Sequence, residues 1–73
     1  MASELLARTA ERYEASAAEL ERAAKHLRIA ADHFRQGEVA RGCAHALAVH
    51  GHMRVVQRQL DDHAEMHRTK AQV

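Results

Sequence analysis

Seventy-three residues make at most one small domain. Its net charge is only +1, with acids and bases interspersed, which argues against the one-signed footprint of a nucleic-acid binder or of a protein held to an anionic membrane. Cys43 is the only cysteine, so no intrachain disulfide can form. A chain this short buries only about 60% of its unfolded surface, so a metal or self-association is the expected supplement to its stability.

Aromatic residues number one Phe and one Tyr, with no Trp, so any core is expected to consist of Ala, Leu, Val and Met. The opening residues Met1 to Arg8 carry Glu4 and no unbroken apolar run, unlike a signal peptide. No apolar stretch approaches the roughly 20 residues of a membrane span. The expectation is a soluble cytoplasmic protein with neither nucleic acid nor membrane as partner.

In chain order, the pattern predicts a first helix over 3–36, a turn at 37 and a second helix over 38–69, one domain covering 1–73. Ser3 is a candidate N-cap and Glu4 complements the positive end of the helix dipole. Gly37 is the expected stop, with Arg35 in the last turn. Leu6, Tyr13, Leu20, Leu27 and Phe34 recur at heptad spacing. Ala10, Ala17, Ala24 and Ala31 follow the first four of these by four residues each, and Thr9, Ser16, Ala23 and Ala30 widen the stripe. Large residues alternating with alanine predict a tight antiparallel seam.

The second helix carries Val39, Ala46, Met53 and Leu60 on one stripe. A second apolar stripe, Ala40, Ala44, Leu47, Ala48, Gly51 and Val55, lies opposite and turns polar from Gln57 onward. One partner helix can cover one side only, so the second stripe is the expected oligomer interface. The fold class is therefore read as all-α, an antiparallel helical hairpin self-associating into a four-helix bundle, with a homodimer favoured. Docking onto another protein's helices is the other use of the same surface. Gly42 and Gly51 lower helix propensity by about 1 kcal/mol each relative to alanine, which the close approach of another backbone would explain.

Seven histidines are the compositional oddity. His63 and His67 are four apart on one helix face, a spacing that can bring two imidazoles onto one ion. His45 and His52 share an arc with His63, and folding at Gly37 sets His26 level with His45 and His52. These five are the candidate ligands for a transition metal such as Zn, Ni or Cu. Protonating all seven histidines would add seven charges to a net +1, so loosening near pH 5–6 is a further expectation. Neither Glu-x-x-His, His-Glu-x-x-His nor a glycine-rich phosphate loop occurs, and no enzymatic activity is expected.

Ala23, His26, Ala30, Ala31, His33 and Gly37, followed by His45, Ala46, His50, Gly51 and His52, form a pattern that resembles small histidine-rich bacterial helical proteins of uncharacterised function. The resemblance spans about two-thirds of the chain. It implies a bacterial origin and a helical hairpin, and it transfers no activity. Two functions follow as expectations. The first is a small non-enzymatic homo-oligomeric assembly or interaction module; the alternative is a histidine-based transition-metal binder.

Overall fold

The computed structural model describes the backbone of residues 2–71 and the side chains of residues 3–66 and 68. Two helices account for nearly all of it: α1, Ala2–Arg35, and α2, Val39–Ala71. They fold back on each other as an antiparallel hairpin of 55 × 20 × 11 Å. That is a single layer two helices wide, so its two broad faces have no further layer of the chain to cover them. None of the described helices is long and apolar enough to cross a membrane.

The reversal has a definite local cause. Gly37 takes φ +77°, a left-handed conformation that only glycine adopts without a Cβ penalty. This allows the backbone N–H of Glu38 to reach the carbonyl of His33 (2.8 Å) and that of Gly37 to reach Phe34 (3.0 Å). The two bonds make a Schellman stop, which satisfies carbonyls that would otherwise end the helix unpaired.

Positions buried between the helices recur every seven residues. On α1 they are Ser16, Ala23 and Ala30, and on α2 Gly42, Val56 and His63. Thr9 and Val49 continue the same rows and are half-buried. The hairpin seam thus uses the small residues one row over from the heptad of large ones. Small side chains let the two backbones approach closely. Ser16 Oγ donates to Gln59 Oε1 at 2.6 Å and holds the register. Among the described residues the buried apolar side chains are Ala23, Ala30 and Val56.

Large residues four positions on from the seam therefore stand beside it rather than in it. Leu6, Tyr13, Leu20, Leu27 and Phe34 on α1 remain exposed, as do Val39, Met53 and Leu60 on α2. Because the helices run antiparallel, a displacement of four residues from the seam turns both rows toward the same broad face. Tyr13 stacks on His63 with ring centroids 4.6 Å apart, and the Phe34 ring lies over Gly42. The same register sets Leu20 level with Val56 and Leu27 level with Val49.

The two glycines of α2 differ. A Cβ on Gly42 would stand 2.5 Å from the Phe34 ring, whereas one on Gly51 would meet nothing within 4 Å. The close approach at Gly42 comes from a side chain of α1, not from a backbone.

Candidate functional site

Opposite the buried row, the seam carries a second row at the same spacing: Glu19, His26 and His33 on α1, then Glu38 just before α2, with His45 and His52 on α2. Folding at Gly37 interleaves them into one column, in the order Glu38, His33, His45, His26, His52, Glu19. His33 stacks on His45 at 5.3 Å between ring centroids. His45 and His26 follow at 5.4 Å, and His26 and His52 at 5.2 Å. Successive members come from alternate helices, so every contact along the histidines ties α1 to α2.

At the centre, His26 Nδ1 and His45 Nδ1 face each other at 3.1 Å. One must donate its N–H and the other accept, which requires different tautomers on the two rings. At one end His52 Nδ1 donates to Glu19 Oε2 at 2.7 Å. Arg22 holds the same carboxylate from the following turn at 2.7 Å. These hydrogen bonds, from Arg22 first and His52 second, keep the Glu19 carboxyl below its usual range.

At the other end His33 Nδ1 lies 3.5 Å from Glu38 Oε1, and Arg41 pairs with Glu38 at 2.9 Å. The His33–Glu38 distance is electrostatic contact rather than a hydrogen bond, consistent with His33 Nδ1 being buried without a hydrogen-bond partner.

Of the five expected ligands, the fold brings together His26, His45 and His52. His63 sits apart, buried against Tyr13, its Nδ1 without a hydrogen-bond partner. The side chain of His67 lies outside the described residues, so the His63–His67 pair has no geometry to report. Among the described residues no group of three or more His, Cys, Asp or Glu is arranged to hold a metal ion. His50 and Cys43 are exposed.

In the expected oligomer stripe, Ala40, Ala44, Leu47, Gly51 and Val55 are exposed and Ala48 is half-buried. His33, Glu19 and Glu38 belong to the column but were not among the expected site residues. Their signal is the shared spacing of seven, 19–26–33 on one helix and 38–45–52 on the other. It becomes visible only when the helices are aligned about Gly37. No protein-family model, curated protein or solved structure matches this chain.

Proposed function

We propose that the protein is a non-enzymatic assembly module in which two hairpins pack their large-residue faces together as a four-helix homodimer. The observation that carries this reading is the exposure of the α1 heptad, with Leu6 69% and Leu27 53% exposed. The chain exposes 5731 Å², against about 4,500 Å² for a compact monomer of its 8.2 kDa mass. The excess of about 1,200 Å² exceeds the roughly 800 Å² each partner contributes to a standard interface.

A second copy is the occupant because the face is made of matching apolar rows on both helices and the net charge of +1 calls for no oppositely charged partner. Such a face is self-complementary about a two-fold axis. The outer stripe of α2, from Ala40 to Val55, is then a second and smaller apolar surface. Sedimentation from about 1 to 100 μM tests the reading, with the dimer mass expected. A fully helical monomer across that range overturns it.

A second reading, transition-metal binding, has one specific observation behind it. The 3.1 Å between His26 Nδ1 and His45 Nδ1 is close to the roughly 3.3 Å between two nitrogens on a tetrahedral zinc with Zn–N bonds of about 2.0–2.1 Å. The pair would supply two ligands, and water or a second copy the rest. Calorimetric titration with Zn, Ni and Cu decides. Absence of binding at micromolar metal, or binding unchanged in His26→Ala/His45→Ala, ends this reading at the column. The His63→Ala/His67→Ala pair tests the other candidate in the same way.

A further inference from the structure

Beyond Glu19 the column's row continues toward the open end of the hairpin. Gln59 follows His52 by seven residues and Arg12 precedes Glu19 by seven, so both stand on the broad face that carries the histidines. No stacked rings close the row here. A depression of about 300 Å³ lies between the helices instead, lined by Arg12 and Ala15 from α1 and by Gln59, Asp62 and His63 from α2. We propose that this depression binds a small zwitterion, its carboxylate held by Arg12 and Gln59 and its ammonium by Asp62.

Three observations point to that class of ligand. Arg12 and Asp62 carry opposite charges on opposite helices and line one depression, yet no ion pair among the described residues includes either of them. Other exposed arginines close onto an acid of their own helix end: Arg22 onto Glu19, Arg35 onto Asp32 and Arg41 onto Glu38. Gln59 Oε1 accepts from Ser16 at 2.6 Å, which fixes the amide and leaves its NH2 group to donate elsewhere. His63 forms the floor, only 3% exposed, and its Nδ1 has no hydrogen-bond partner, an uncommon state for a buried polar group.

Charge decides between ligand classes. The arginine and the aspartate sum to zero, so a simple anion drawn to Arg12 is opposed by Asp62, and a simple cation drawn to Asp62 is opposed by Arg12. A molecule carrying both charges satisfies both. Its carboxylate matches the planar fork of the guanidinium and takes an N–H of Gln59 as well. The volume stands at the lower end of small-molecule pockets, which suits an amino acid rather than a large cofactor. Arg12 and Asp62 are exposed, so solvent screens their contacts and a Kd of the order of 1 mM is expected. Once bound, the ligand links α1 to α2 beyond the end of the histidine column.

The test is titration of the full chain followed by nitrogen–proton correlation NMR at constant ionic strength. The two probes are L-alanine, whose charges stand close together, and γ-aminobutyrate, whose charges stand farther apart, each to about 50 mM, well above the expected Kd. At least one should give saturable shifts of the Gln59 side-chain amide and the Ala15 backbone N–H, with Gly51 on the outer stripe unmoved. Sodium acetate and methylammonium chloride, each carrying one charge only, should bind at least about tenfold more weakly. Arg12→Gln and Asp62→Asn change exposed residues, should leave the circular dichroism of the hairpin intact, and should each weaken the zwitterion about tenfold.

No saturable shift with either zwitterion overturns the proposal. So does acetate or methylammonium binding as tightly as the zwitterion, which would make the depression a site for a single charge. Unchanged affinity in either folded variant overturns it too. If a variant is unfolded, the comparison of the four probes on wild type decides alone. The site lies on the face away from Leu20 and Leu27, so its failure leaves the homodimer standing, and a monomer in sedimentation leaves the site standing.

Discussion

Replacing Leu27 by alanine is expected to weaken self-association some fifty- to a hundredfold while leaving the hairpin folded. Leu27 is 53% exposed in the isolated hairpin, so about half of its burial remains to be gained from a second copy. Leucine exceeds alanine by three carbons, worth about 2.4 kcal/mol when fully buried at ~0.8 kcal/mol each. The 53% still exposed corresponds to about 1.3 kcal/mol per chain, and a two-fold interface counts it twice, giving about 2.5 kcal/mol. At 1.4 kcal/mol per tenfold this is a change of roughly 60-fold in Kd. Sedimentation equilibrium of wild type, Leu27→Ala and Leu47→Ala measures it. Leu47 is more exposed still, at 68%, but it lies on the outer stripe, so its Kd should stay within about threefold of wild type. Unchanged association in Leu27→Ala, or the larger loss in Leu47→Ala, would refute the assignment of the face and move the interface to the outer stripe of α2.

Other substitutions test the seam. Gly42→Ala displaces the Phe34 ring, since the new Cβ would stand 2.5 Å from it; that ring ends a 48% exposed side chain and has room to swing aside, so the shift offsets part of the ~1 kcal/mol gain in helix propensity. Gly51→Ala meets nothing and should stabilise by up to about 1 kcal/mol, so its urea midpoint should rise further than that of Gly42→Ala. Ser16→Ala removes the donor to Gln59 Oε1 and should lower stability by about 1 kcal/mol with an unchanged m-value. Glu19 has its carboxyl held below the usual 4.5 by Arg22 and His52, so it stabilises the fold above the ordinary carboxylate range and that contribution disappears as pH falls through the lowered value. Glu19→Gln should therefore show a shallower loss of stability than wild type as pH falls below about 4.5; parallel urea-midpoint curves would contradict the pairing.

How much of this could be read from residues alone depends on which property each residue contributes. Gly37 with Arg35 before it marks a helix stop in any helical context, and seven-residue periodicity on both sides of it marks two helices, so the hairpin was legible. Periodicity could not choose between two adjacent heptad frames. The frame of Leu6, Tyr13, Leu20, Leu27 and Phe34 is the more apolar, whereas that of Thr9, Ser16, Ala23 and Ala30 permits the closer approach. Apolarity says that a row seeks cover and is silent on whether the cover comes from the same chain. Side-chain size limits how near two backbones can come, and here the small frame closes the hairpin. His33, Glu19 and Glu38 were hidden for a related reason. Taken singly, each is an ordinary edge residue, and only the register across the turn converts six such residues into a continuous column.

The choice of frame also separates two tasks that a conventional two-helix seam would combine. Ser16, Gln59 and the histidine column are directional contacts, which fix register but bury little apolar area. The large residues beside them are non-directional and supply area, about half of it still exposed in the hairpin. Closing the hairpin through Leu20 and Leu27 instead would have hidden the surface needed for association inside the monomer. Small and polar groups between the helices, with leucines at the margin, give a hairpin of modest stability on its own, and the proposed pairing would add the apolar burial it lacks. If hairpins pair in this way, stability should rise with protein concentration at fixed pH, a dependence that Leu27→Ala weakens and Leu47→Ala leaves in place.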